Sequence, residues 1–278
     1  EIEDLIDNES IVVNITKRGY IKSMPANTYK TQRRGGRGVT GVNPKDEDFV
    51  EHLFVATTHT DILFFTNRGR VHKLKGYQIP QASRKARGTP IINLIQIMPG
   101  EVVNAVIPIQ EFDPSWYLFM ATKKGRVKKT SLSDFENIRS NGIFAIDLVD
   151  GDELIGVRMT NGEQEILLVT IEGMSIRFSE EEVRAMGRTA RGVIGIRLAE
   201  TDEVVGMDVV KPNTKVLVVS RNGYGKRTPT SEYRTQSRAG RGVKTMNFTK
   251  KTGPIVGVRL VQEDHDIMLT TGEGIIIR

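Results

Sequence analysis

The chain has 278 residues, 38% of them hydrophobic and 27% charged, with a formal charge of +6 and a pI near 9.4. It is long and apolar enough to bury a substantial core and is not disordered on composition, while no apolar run approaches the roughly 18 residues of a membrane helix. The absence of cysteine excludes disulfides, thiol nucleophiles and thiolate-bound zinc and fits a reducing cytoplasm, and the basic balance points to polyanionic partners.

The sequence opens Glu1-Ile2-Glu3-Asp4, with neither an initiator methionine nor a basic-plus-apolar leader, and is expected to be a piece of a longer protein. A unit of about 50 residues then recurs. Its first mark is a hydroxyl residue followed three places later by glycine: Thr16…Gly19, Thr66…Gly69, Thr122…Gly125, Thr170…Gly173, Ser220…Gly223 and Thr271…Gly274. Apolar runs such as Ile62-Leu63-Phe64-Phe65 and Val216-Leu217-Val218-Val219 precede the glycine, and half-polar runs such as Arg70-Val71-His72-Lys73-Leu74 follow it. The pair reads as a buried strand, a tight turn with glycine at φ > 0, and a returning strand. Only Ser179 to Ala185 suggests a helical turn.

The second mark is another glycine, Gly38, Gly88, Gly142, Gly192 or Gly242, preceded in four units by Arg37, Arg87, Arg191 or Arg241. In the first unit it closes Gln32-Arg33-Arg34-Gly35-Gly36-Arg37-Gly38, whose guanidiniums and bare backbone suit a loop that offers charge and N–H groups to a polyanion. The third mark is an acidic turn, as in Asp46-Glu47-Asp48 and Asp150 to Glu153, read as solvated. Units near 8–60, 61–115, 116–163, 164–213 and 214–263, with 264–278 opening a sixth, predict a single all-β domain: a six-bladed, propeller-like pinwheel of four-stranded repeats whose sixth blade is incomplete. Either the sequence given stops within that blade or the extreme N-terminus supplies a closing strand.

Charge keeps phase with the repeat. Unit one carries Lys17, Arg18, Lys22, Arg33, Arg34 and Arg37; unit two carries Arg68, Arg70, Lys73, Lys75, Arg84, Lys85 and Arg87; neither first half holds an acid. Unit three carries Lys123, Lys124, Arg126, Lys128 and Lys129, unit four Arg188 and Arg191 diluted by Glu180 to Glu182, and unit five Arg221, Lys226, Arg227, Arg238 and Arg241. Equivalent positions of a repeat share equivalent surfaces, so these residues are expected to form a belt that wraps duplex DNA, with the acids elsewhere. No catalytic or metal constellation assembles. Gly36-Arg37-Gly38-Val39-Thr40-Gly41 matches a dinucleotide fingerprint, but Asn43-Pro44 follows in place of a helix. The histidines have no ligand spacing, and Trp116 is placed in the core of a blade.

Gln32–Gly38 within Thr-x-x-Gly units of this length resembles the C-terminal domain of the bacterial gyrase A protein, a DNA topoisomerase component, across essentially the whole chain. Gln236–Gly242 is a degenerate copy, Arg84–Gly88 and Arg188–Gly192 weaker ones, and Arg139-Ser140-Asn141-Gly142 departs furthest. The resemblance implies a non-catalytic module that wraps DNA with positive handedness, lets the holoenzyme introduce negative supercoils, and uses a box of this kind to fasten the first and last blades. It implies no cofactor in this domain, ATP and magnesium belonging to other parts. Its implied partners are double-stranded DNA, the gyrase B protein and the N-terminal part of gyrase A, in an A2B2 holoenzyme. The active-site tyrosine lies in that N-terminal part, so none of the tyrosines here takes its role. A topoisomerase IV domain and a protein-interaction propeller are the competing readings; the intact box favours the first family.

Overall fold

The computed structural model describes residues 1–28, 48–247 and 249–262, and the backbone of 269–270 and 276–277. In chain order the strands are β1 (Ser10–Thr16), β2 (Tyr20–Pro25), β3 (Val50–Thr57), β4 (Asp61–Thr66), β5 (Arg70–Lys75), β6 (Thr89–Pro90) and β7 (Val103–Ile109). There follow β8 (Tyr117–Thr122), β9 (Arg126–Ser131), β10 (Ile143–Phe144), β11 (Leu154–Thr160), β12 (Glu165–Thr170), β13 (Met174–Ser179) and β14 (Val193–Ile194). The last are β15 (Val204–Val210), β16 (Thr214–Ser220), β17 (Gly225–Pro229), β18 (Val243–Lys244), β19 (Ile255–Gln262), β20 (Leu269–Thr270) and β21 (Ile276–Ile277). The helical turn expected after Ser179 is a 3-10 turn over Glu180–Glu182, capped by the Ser179 hydroxyl.

The Thr-x-x-Gly hairpins form as the sequence predicts. Gly19, Gly69, Gly125, Gly173 and Gly223 have φ between 78° and 92°, the left-handed region that glycine enters at no steric cost. The hydroxyl residue closes the turn from the other side. Through their side-chain oxygens, Thr16, Thr66, Thr122, Thr170 and Ser220 accept the N–H of the residue after the glycine, at 3.0–3.3 Å.

The four-stranded sheets exchange strands in a way the sequence did not announce. Their orders are β3-β1-β2-β6, β10-β5-β4-β7, β11-β8-β9-β14 and β15-β12-β13-β18. In each, the outermost strand is two residues long and comes from the following unit. It is the segment just after the second glycine, and its next residue returns a hydrogen bond to the preceding hairpin. Ile91, Ala145, Gly195 and Thr245 donate to the carbonyls of Gly19, Gly69, Gly125 and Gly173 at 2.7–2.8 Å. The second glycine permits this approach. A Cβ on Gly192 would lie 2.3 Å from the Val127 carbonyl oxygen, and one on Gly242 would lie 2.2 Å from that of Ser175.

The innermost strands β7, β11, β15 and β19 pack against their neighbours, and the core sits between blades. On β4, Ile62 and Phe64 enter the cluster shared with Val13 and Ile21 of the first blade. Leu63 and Phe65 enter the one shared with Leu118 and Met120 of the third. A strand clamped between two sheets buries both faces, which is why its sequence is continuously apolar rather than alternating.

The fifth sheet, β17-β16-β19, holds three strands among the described residues. The expected incomplete sixth blade is not shown. Beyond β19 the described residues give only the two-residue pairing of β20 with β21, so the architecture is an all-β propeller of five antiparallel blades. Trp116 is also corrected: it is 37% exposed, on the turn leading into β8.

Candidate nucleic-acid interface

The sequence-predicted basic residues fall into three environments. The first is the rim, where Arg84–Gly88, Arg188–Gly192 and Arg238–Gly242 run into the outermost strands. The two arginines of each loop differ. Arg188 and Arg238 are half-buried and donate to the carbonyls of Phe144 and Ile194, at 3.2 and 2.6 Å, so each loop is tied to the outer strand of the preceding one. Arg87, Arg191 and Arg241 are exposed, as is Lys85. Arg87 lies 5.0 Å over the ring of Tyr20. Arg191 pairs with Asp147 at 2.9 Å, and that carboxylate holds its guanidinium above its ordinary pKa. Arg126 and Arg70 on the returning strands support the loops by donating to the carbonyls of Gly192 and Asn141.

The second environment is the hairpin-turn edge, with Lys17, Arg18, Arg68, Lys123, Lys124 and Arg221. The sequence places the acids on a separate, solvated surface; the structure brings them here and buries several. Asp48, Asp152 and Asp202 are under 10% exposed and accept the turn N–H groups of Arg18, Lys124 and Glu172 at 2.9–3.1 Å. Acids therefore follow the basic turn in the repeat because they fix its shape. They also dilute its charge: Lys123 lies 3.4 Å from Glu153 and 3.7 Å from Glu203, and Glu203 first, then Glu153, raise its ammonium pKa. Lys124 donates to the Asp150 carbonyl at 2.7 Å.

The third environment is the interior. Lys22, Lys128 and Lys129 are 4%, 0% and 6% exposed, which corrects their expected place among the DNA-facing residues. Lys22 donates to the carbonyls of Ser83, Arg84 and Ala86. Lys128 donates to those of Ala145 and Arg188. Lys129 bonds the Glu180 carbonyl at 3.1 Å and pairs with its carboxylate at 3.7 Å. Burial pushes the Lys128 amine down to about 7, with Arg188 adding to the effect. Lys73 and Lys75 are half-buried: Lys73 donates to the Glu136 carbonyl and Lys75 pairs with Asp61 at 3.1 Å. In the fifth blade Lys226 and Arg227 are exposed.

Gln32, Arg33, Arg34, Gly35, Gly36, Arg37 and Gly38 lie outside the described residues. Two residues that the sequence did not single out belong to the arrangement. Phe144 is 58% exposed on β10, in a concavity it lines with Arg68, Arg70, Arg139 and Arg188. Arg177, the register equivalent of Lys129, ties Glu165 at 2.8 Å to the carbonyls of Thr230 and Tyr233 of the next unit; its repeat position was the available signal. Among the described residues no group of three His, Asp or Glu side chains is placed to hold a metal.

A family model described as the DNA gyrase C-terminal domain, a beta-propeller, matches residues 12–57, 60–109, 117–161, 164–211 and 214–262, one segment per blade. The chain is 59% identical over 278 residues to the gyrase A protein of Halalkalibacterium halodurans and covers 33% of it. To the gyrase A protein of Clostridium acetobutylicum it is 51% identical over 278 residues, covering 34%. It thus spans about a third of the length of these curated relatives. Among solved structures, the C-terminal domain of DNA topoisomerase IV superposes with a TM-score of 0.80 at 28% identity, covering 98% of this chain and 84% of that one. The DNA gyrase A C-terminal domain gives 0.75 at 28% identity, covering 94% and 86%.

Proposed function

The chain belongs to the DNA gyrase C-terminal domain family, and we propose that it is a non-catalytic module that binds duplex DNA and bends it around the arginine–glycine rim. The observation that carries this reading is the strand exchange. Three of the four outermost strands are introduced by a loop with an exposed second arginine, so Arg87, Arg191 and Arg241 occupy equivalent places on the first, third and fourth blades, with Asn141 at that place on the second. Cations in that arrangement neutralise successive phosphates without reading sequence, which gives tight, salt-sensitive, sequence-tolerant binding. A duplex following several blades must bend, at a cost on the order of several kcal/mol, offset only when contacts are spread along the curve.

In a whole type II topoisomerase, a wrap of positive hand presents a neighbouring DNA segment for strand passage, so that ATP-driven cleavage and religation yield negative supercoils. The partners this function requires are the gyrase B protein and the N-terminal part of gyrase A, in an A2B2 assembly. A relaxing, topoisomerase IV-type role is the alternative that the 0.80 superposition keeps in view; the box at Gln32–Gly38 and the 59% identical gyrase relative favour supercoiling. The test is topological. Nicked circles religated with excess protein acquire positive writhe if the reading holds; an unchanged linking number refutes wrapping.

A further inference from the structure

We infer that Lys22 and Lys128 are positioning residues for the rim: each holds the first-arginine carbonyl of the next unit's loop from beneath and thereby directs a backbone N–H outward to a DNA phosphate. The inference rests on the DNA-binding reading above.

The two lysines are register equivalents, each three places after a hairpin glycine, Gly19 or Gly125. Their ammonium groups do not reach the surface. Lys22 Nζ lies 2.8 Å from the Arg84 carbonyl oxygen and Lys128 Nζ lies 2.8 Å from that of Arg188, and these two arginines occupy the same loop position. Lys22 gathers two further carbonyls, of Ser83 and Ala86, at 3.2 and 3.0 Å. A trans peptide is planar, with its C=O and N–H on opposite sides, and no described peptide is cis. A carbonyl drawn inward therefore turns the N–H of the same peptide outward. For Arg84 and Arg188 that N–H belongs to Lys85 and Thr189, whose side chains are both exposed. The buried cation also aligns the peptide dipole with its positive end toward solvent, the arrangement that makes backbone concavities bind anions. The exposed guanidinium of Arg87 or Arg191 completes the seat. Burial lowers the pKa of both amines, with Arg84 adding to the effect at Lys22, and Arg188 adding and Asp134 opposing at Lys128. A phosphate at the rim favours their charged forms.

Other blades show what happens without this partner. His72 and Ile176 stand in the same register; the His72 ring nitrogens are buried without a hydrogen bond. Lys226 keeps the contact equivalent to that of Lys128 with Ala145, donating to Thr245 at 3.2 Å, yet it is exposed because no following loop covers it among the described residues.

The experiment uses the 278-residue chain with Lys22→Met and Lys128→Met, singly and together, and a duplex of several helical turns titrated across salt concentrations. Each substitution is expected to weaken binding about tenfold, the loss of a charge-assisted contact, while the slope of log K against log salt stays that of the wild type. Unchanged affinity in a folded variant overturns the inference. So does a slope lowered by about 0.9 per lysine, which is the mark of a direct phosphate contact. Hydrogen exchange on the wild-type protein gives a second test independent of variant folding: DNA is expected to protect the amides of Lys85 and Thr189, and equal exchange with and without DNA overturns it. If the wild type binds no DNA, the DNA-binding reading itself fails; if it binds and the variants match it, only the positioning role does.

Discussion

Replacing Lys129 by methionine separates an interior lysine from a DNA-contacting one by its effect on stability. Lys129 on β9 reaches across a blade boundary to Glu180, which is fully buried. At 3.7 Å and an effective dielectric near 20, the attraction is about 4 kcal/mol before desolvation is counted. Lys129→Met removes that attraction and the bond to the Glu180 carbonyl, leaving a buried carboxylate held by the Thr160 hydroxyl at 2.8 Å and the Gln164 N–H at 2.9 Å. Breaking a buried pair from one side costs about 3–5 kcal/mol, and the two surviving bonds place this case near 3. Adding Glu180→Gln removes the stranded charge and is expected to restore about 2 kcal/mol, so the double-mutant cycle has a large coupling energy. Urea unfolding reads the stabilities, and a DNA titration at several salt concentrations reads the phosphate count. If Lys129→Met unfolds like the wild type while its salt slope falls by about 0.9, Lys129 faces DNA and the interior assignment is wrong.

Other perturbations address the rim, the glycines, His52 on β3 and the box. Arg87→Ala, Arg191→Ala and Arg241→Ala together are expected to lower the salt slope by about 2.7 while leaving stability within about 1 kcal/mol, because their intramolecular contacts are exposed; a slope equal to the wild type removes them from the interface. Gly192→Ala must fit a Cβ 2.3 Å from the Val127 carbonyl oxygen at φ 84° and is expected to cost about 3 kcal/mol or more, whereas Gly223→Ala, at φ 86° with nothing within 4 Å, costs only the left-handed penalty of about 1–2. Equal melting temperatures for the two would deny the close strand exchange. His52 is pushed down to about 4 by burial and then by Arg158 and Arg259. With the folded pKa below the unfolded one, near 6.5, the unfolded chain binds the extra proton, so stability declines as pH falls from about 6.5 toward 4, by at most about 1.4 kcal/mol per unit. His52→Asn should flatten that limb of the stability profile; an unaltered limb assigns it elsewhere. Replacing Arg33, Arg34 and Arg37 by alanine is expected to abolish supercoiling by a reconstituted holoenzyme while relaxation survives, and retained supercoiling reduces the box to an ordinary basic loop.

The hairpins were legible because their signals are local. A hydroxyl residue, a glycine and flanking apolar runs specify a turn whose hydrogen bonds close within five residues. The β6, β10, β14 and β18 pairings were not, since Thr89-Pro90 or Val243-Lys244 carries no strand signal of its own. Those residues become strands because a glycine with positive φ lets the chain lie against a hairpin about 70 residues earlier in sequence. The burial of Lys22 and Lys128 was hidden for the same reason. On the returning strands they stand beside other polar residues, Lys22 before Ser23 and Lys128 before Lys129 and Thr130, as solvent-facing lysines do, and only the loop of the next unit covers them. The acidic turns misled in a different way: Asp48, Asp152 and Asp202 are polar because they bind backbone N–H groups, not because water surrounds them.

The role of a basic residue in this fold is thus set by its neighbour as much as by its register. Lys128 and Lys129 on β9 are interior, and Lys226 and Arg227 at the same positions of β17 are exposed. The returning strand is alike in both; the difference is that a following loop lies over β9, while among the described residues none lies over β17. A charge count along the sequence therefore overstates the cations available in a covered blade and is closer to correct in an uncovered one. The same coupling binds the rim together. Each loop that presents an exposed arginine is hydrogen-bonded to the preceding hairpin, and Arg188 and Arg238 tie it to the preceding outer strand as well. A bent duplex pulling on one loop loads its neighbour through backbone bonds. Substitutions at Gly192 or Gly242, which open that seam, should consequently weaken DNA binding at two adjacent loops, whereas loss of an exposed arginine should weaken it at one.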